Sequence, residues 1–305
     1  MAHARMNQNR SFPGIGLALL MTLAVVGLQI ALAIPFEVAA TVYSLATHQT
    51  PLHPTHHPLV MGFINLIALG VVIAWGVYMT KAPARQIFNF KWPGGWLLPG
   101  VVCAMLGAAI ILSEADNLFR MVFPVPETLV NLFRDLTGGR GGVWSSALTI
   151  VIVAPVTEEL LFRGLILRGL LQRYRPWKAI VLSAAFFALA HANPWQLISA
   201  LSLGLIVGWW YWRTASVVSG LIGHALLNAQ ALAYQYLPIE IAGANQGDPF
   251  EFSGLQPLWF DACGLLLLAL GWWLFLRHAP KPADVAPVCS GPPPPVIPPA
   301  LTAQP

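Results

Sequence analysis

"SSALTIVIVAPVTEELLFRGLILRGLL", residues 145–171, is a long apolar run with two adjacent glutamates and an arginine inside it. About 20 apolar residues cross the roughly 30 Å of bilayer hydrocarbon. A charge at that depth costs about 2.5–3.5 kcal/mol on insertion scales. Glu158, Glu159 and Arg163 therefore need partners or a use. Glu159 and Arg163 are four apart with the acid on the N-terminal side, the favourable order for a helical ion pair. Glu158 is one residue away, so it points about 100° from Glu159 on a helix. One glutamate reads as half of a structural pair and the other as a free carboxylate.

Composition sets the solvent. Of 305 residues, 57% are hydrophobic and 9% charged, with mean hydropathy +0.67. An ordinary soluble domain carries about 25% charged residues. The chain reads as all-α, a polytopic transmembrane helical bundle. Its net charge of +4 belongs to basic loops beside membrane spans and implies no nucleic-acid partner. Three cysteines, Cys103, Cys263 and Cys289, give neither a disulfide framework nor a CxxC metal site.

Eight apolar runs predict spans at about 14–34, 58–80, 95–113, 143–171, 177–193, 196–212, 215–236 and 258–276. Residues 1–13 form a polar, basic leader, and the first span lacks a clear small-residue cleavage site, so it reads as a retained anchor. Lysine and arginine alternate between loops: present in the leader, around 81–91, at 173–178, at 213 and at 277–281, and absent from 35–57 and 237–257. By the positive-inside rule this predicts a multi-pass protein of the cell (inner) membrane with both termini cytoplasmic. Residues 14–142 read as N-terminal transmembrane helices with an external amphipathic segment in "NLFRMVFPVPETLVNLFRDL", residues 117–136. The segment 143–236 reads as the functional core and 258–276 as the last span. The proline-rich stretch 279–305 reads as a disordered tail.

Polar residues elsewhere match Glu158 in depth. "AAFFALAHAN" holds His191, and "SGLIGHALLNAQ" holds His224 and Asn228 one turn apart. At 1.5 Å per residue, Glu158 and His191 lie about 21 Å, and His224 about 14 Å, from the cytoplasmic side. Polar side chains at this depth face an interior cavity rather than lipid. A carboxylate with an imidazole suits water activation. An imidazole and an amide side by side suit a developing oxyanion.

Glu158-Glu159-x-x-x-Arg163, Phe187-x-x-x-His191 and His224-x-x-x-Asn228, in that order on successive helices, resemble the signature of the type II CAAX prenyl protease family. This is the Ras-converting-enzyme-like, or CPBP (CAAX protease and bacteriocin-processing), group of intramembrane proteases. The resemblance covers 143–236. It implies an endopeptidase in which Glu158 and His191 activate water, His224 and Asn228 stabilise the oxyanion, and Glu159 and Arg163 are structural. It implies a membrane-associated or lipid-modified protein or peptide as substrate and no cofactor, zinc or another divalent metal being the alternative. Two other readings compete: a proton-coupled transporter, and a non-catalytic scaffold or immunity protein of the same family. A transporter would show paired repeats and broken helices in both halves, whereas the polar residues here cluster in one half.

HExxH, GxSxG and GxGD patterns are absent. Gly204-x-x-x-Gly208 reads as a helix-packing site. "THQTPLHPTHHP", with His48, His53, His56 and His57, reads as a solvated external loop, since no carboxylate or cysteine accompanies it in the sequence.

Overall fold

A computed structural model describes residues 12–50, 53–246 and 251–280. The leader through residue 11 and the proline-rich stretch from 281 lie outside the described residues.

The protein is a helical membrane bundle. We label its helices α1 (Ile15–Thr47), α2 (Pro58–Thr80), α3 (Leu97–Val122), α4 (Glu127–Arg134), α5 (142–171), α6 (Pro176–Ala190), α7 (Leu197–Thr214), α8 (Val218–Ala233) and α9 (Leu258–His278). Each of the eight apolar runs is helical. Among the described residues, four uninterrupted α-helices, α1, α2, α3 and α9, are long and apolar enough to cross a membrane; α5 is divided between α- and π-helical segments. The eight-span reading thus finds its helices, but α6 is a short one of 15 residues, and α7 and α8 pack against α5 and α3 instead of standing alone.

The quoted run forms the centre. Every residue from Leu161 to Leu170 is buried. A helix apolar all round belongs inside a bundle, and α5 packs against α2, α6, α7 and α8. Leu161, Leu165, Phe187, Val207 and Trp210 form its packed core. On the far side, α3 and α9 are the most extensively packed pair, with Gly107 and Gly264 bringing the two backbones together. Small residues permit this approach where water supplies no drive between helices. The Gly204-x-x-x-Gly208 stripe of α7 likewise meets Ala184 and Ile180 of α6.

Three expectations shift. The first span was expected to end before Pro35. Instead α1 runs through Pro35 to Thr47, since membrane helices tolerate a proline whose lost bond neighbours can offset. The amphipathic segment 117–136 is not one helix. Its first residues complete α3, and Pro124 and Pro126 stand between Val122 and the start of α4 at Glu127. The histidine loop is not simply solvated. Glu37 of α1 accepts from Thr55 N and His53 Nδ1 at 3.1 and 3.2 Å, and Asp135 accepts from His56 Nδ1 at 2.9 Å. Both carboxylates are remote in sequence, so adjacency alone could not reveal them.

Candidate active site

The helix α5 is not regular. Residues Ala147–Val153 and Leu160–Leu167 are π-helical, flanking the α-helical turn Ala154–Glu159 that carries both glutamates. Such widened turns recur at functional sites. Pro155 gives a physical reason for the first. In 147–153 the bonds run i→i−5, and the Ala154 N–H reaches Thr149 O. The next donor in that register is residue 155, which would bond Ile150 O. Proline has no N–H to give. Asn228 of α8 supplies it: its Nδ2 donates to Ile150 O at 2.8 Å.

Glu159 and Arg163 are buried as a pair, at 0% and 1% side-chain exposure, with Arg163 Nη1 2.9 Å from Glu159 Oε1. The same oxygen accepts from His224 Nδ1 at 3.0 Å. His224 Nε2 then faces Glu158, 3.8 Å from its Oε2. One imidazole therefore stands between the two glutamates, a link that helix geometry within 157–164 could not disclose. Gly220, one turn before His224, makes the approach possible. A Cβ there would lie 2.7 Å from Glu159 Oε2 and 2.5 Å from Val207 Cγ1.

His191 ends α6. Its Nδ1–H donates to the Phe187 carbonyl at 2.9 Å. A carbonyl only accepts, so in the neutral ring Nε2 carries the free lone pair. Phe187 is the packing centre. Its ring lies 4.9 Å from that of His191 and 5.6 Å from that of His224, edge to face. Arg163 sits over the same ring at 4.6 Å, within cation–π range. The motif included Phe187, but its spacing signalled only the histidine. The ring fixes both imidazoles and covers the buried cation.

Glu158, His191, His224 and Asn228, from α5, α6 and α8, all line one cavity of about 760 Å³. Glu158 Oε2 is buried with no hydrogen-bond partner within the protein. The roof is α4 and the turn after it, through Leu129, Leu132, Phe133 and Thr137. Asp135 anchors this roof to His56 and, at 3.1 Å, to Arg140. A second polar wall, Asp116, Arg120 and Ser199, lines the same cavity and was not singled out from sequence. Among the described residues, no three His, Cys, Asp or Glu side chains group as metal ligands.

Residues 140–230 match the family model described as type II CAAX prenyl endopeptidase, Rce1-like. A UPF0177 protein of Lactococcus lactis subsp. lactis (strain IL1403), YbdI, is 23% identical over 59% of this chain and 96% of its own length. An uncharacterised 24.3 kDa protein of Escherichia coli is 26% identical over 48% of this chain and 64% of its own length. A candidate membrane peptidase of Bacillus subtilis (strain 168), YdiL, is 26% identical over 29% of this chain and 36% of its own length. No solved structure matches.

Proposed function

We propose that this chain, whose residues 140–230 belong to the Rce1-like family of type II CAAX prenyl endopeptidases, is an intramembrane endopeptidase that cleaves a peptide bond with water activated by Glu158 and His191. The observation that carries this reading is the convergence of Glu158, His191, His224 and Asn228 on one interior cavity. Its substrate is a membrane-associated or lipid-modified protein or peptide. The enzyme is an integral, multi-pass protein of the cell membrane with both termini in the cytoplasm.

The chemistry follows from the donors and acceptors. Water bound between Glu158 and the free Nε2 of His191 gives its proton to this pair as it attacks the scissile carbonyl. The second N–H of Asn228 Nδ2, the first being bonded to Ile150 O, stabilises the oxyanion. His224 Nε2 does the same when the ring carries both protons. Glu159 on its Nδ1 side offsets the charge, and Arg163 balances Glu159. The proton taken from water then passes to the leaving amine as the tetrahedral intermediate collapses.

The test begins with proteomics of cells lacking the protein, seeking membrane proteins that retain an extra segment. Such a protein is then incubated with purified enzyme in liposomes. Cleavage is expected with wild type and none with Glu158→Gln. Cleavage by Glu158→Gln at the wild-type rate would refute the role of the carboxylate. Cleavage is also expected to survive EDTA and phenanthroline. Loss with either chelator and recovery with zinc would replace the glutamate mechanism by a metal-dependent one.

A further inference from the structure

The wall of the cavity formed by α3 and the start of α7 has a chemistry the catalytic reading does not use. Asp116 of α3 lines the cavity. Ser199 Oγ donates to its Oδ2 at 2.7 Å. Its Oδ1 is buried and has no hydrogen-bond partner within the protein. Glu114, two residues earlier, contrasts with it. That carboxylate accepts from Asn117 Nδ2 at 3.1 Å and from Gln256 N at 2.9 Å. A buried acceptor left unmatched is destabilising, and Ser199 holds this one in a fixed orientation. Among the described residues the lining carries Asp116, Glu158 and Glu251 with Arg120, His191 and His224. Glu251 lies 4.0 Å from Arg134 and Glu158 3.8 Å from His224 Nε2. Arg120, one turn along α3, is a nearby counter-charge of Asp116, yet Oδ1 still lacks a hydrogen-bond donor.

We propose that Asp116, oriented by Ser199, forms a subsite in this cavity for a cationic side chain, lysine or arginine, of the peptide substrate. The substituent is held by a charge-assisted hydrogen bond to Oδ1, which completes that oxygen's bonding. The proposal rests on the endopeptidase reading for calling the ligand a substrate, but the site itself is a matter of binding. Its cavity is of ordinary size for a specific ligand site. Selectivity arises because an apolar residue in the same place leaves Asp116 Oδ1 without a donor, whereas lysine or arginine supplies one.

The experiment uses the full chain carrying Glu158→Gln, in nanodiscs of neutral phosphatidylcholine. The probes are leucine-rich peptides of about 20 residues that differ in one central residue, lysine or norleucine, with empty nanodiscs as the reference. The lysine peptide is expected to bind about tenfold tighter or more, a modest gain for a close charge pair. Adding Asp116→Asn should bring the two affinities within about twofold, and adding Asp116→Glu should retain the preference. Thermal unfolding checks that each variant is folded. Equal or absent binding of the two peptides, or a preference that survives Asp116→Asn, overturns the subsite. The same peptides offered to wild type separate the two readings. Selective binding of the lysine peptide without cleavage of it or of any cellular candidate sinks the endopeptidase and leaves the subsite. Cleavage of both peptides at one rate sinks the subsite alone.

Discussion

Glu158 and Glu159 are chain neighbours with opposite needs. Glu159 is enclosed with Arg163 and His224, while Glu158 borders the cavity. Glu159→Gln would leave Arg163 buried without its counter-charge. Breaking a buried pair in this way costs about 3–5 kcal/mol, so the variant should accumulate poorly. Glu158→Gln leaves the Glu159–Arg163 pair in place and should accumulate normally with cleavage lost. Immunoblots of membranes beside a cleavage assay decide, and matching behaviour of the two variants in both would refute this division. Asn228 combines two tasks. Removing an oxyanion donor typically lowers the rate about 10²–10³-fold. Leaving Ile150 O unmatched costs about 1–3 kcal/mol besides. Asn228→Ala should therefore be slow in single-turnover cleavage and also melt earlier. A wild-type rate with a lowered melting temperature would make Asn228 a purely structural partner of α5. The identities of these residues and the spacing within each helix were legible in the sequence. The bond from Asn228 to the Ile150 carbonyl and the one from His224 to Glu159 were not, because each joins residues more than 60 positions apart.

At the scale of elements, apolar runs located the helices well because a bilayer demands long, internally bonded segments. They failed where the chain uses proline or remote contacts. Pro35 lies within α1 without ending it, and the π-helical parts of α5 carry no pattern distinct from an ordinary helix. Pro155 is the residue through which this irregularity can be tested. Pro155→Ala restores a backbone N–H that competes with Asn228 for Ile150 O. Alanine is also favoured over proline by about 3 kcal/mol inside a helix. The variant should fold at least as stably as wild type. It should nevertheless cleave more slowly, because a regular register turns the Glu158 side chain away and releases Asn228. Unchanged cleavage would show that the widened turn is incidental to the site. Gly220→Ala tests the packing of α8 on α5 from the other side. Its added methyl would overlap Glu159 and Val207, and overpacking of this kind costs about 1–3 kcal/mol. The melting temperature should fall, and recovery is expected when Val207→Ala makes room.

For the molecule as a whole, the functional groups sort to two ends. The turn between α5 and α6 and the first turn of α6 carry Arg173, Arg175 and Lys178. The opposite end carries the roof, where Glu37, His53, His56 and Asp135 join α1, the histidine turn and the segment after α4. His191 closes α6 at the roof end, since α6 begins beside Arg175 and runs away from it. In the proposed orientation the Arg175 end is cytoplasmic, as lysine and arginine bias favours, and the roof and the cavity then belong to the outer part of the bundle. This orientation is testable without knowing a substrate. Cys103, Cys263 and Cys289 are first replaced by serine or alanine. Single cysteines are then introduced at exposed Trp177, beside the basic turn, and at Ile239, beyond α8; both side chains are exposed. In intact cells a membrane-impermeant maleimide should label the cysteine at 239 and spare the one at 177, and permeabilised cells should show both. A reporter active only outside, fused after residue 305, should stay silent. Labelling at 177 in intact cells with an active reporter would invert the protein. The candidate site would then open toward the cytoplasm, and its substrates would have to be sought on that face.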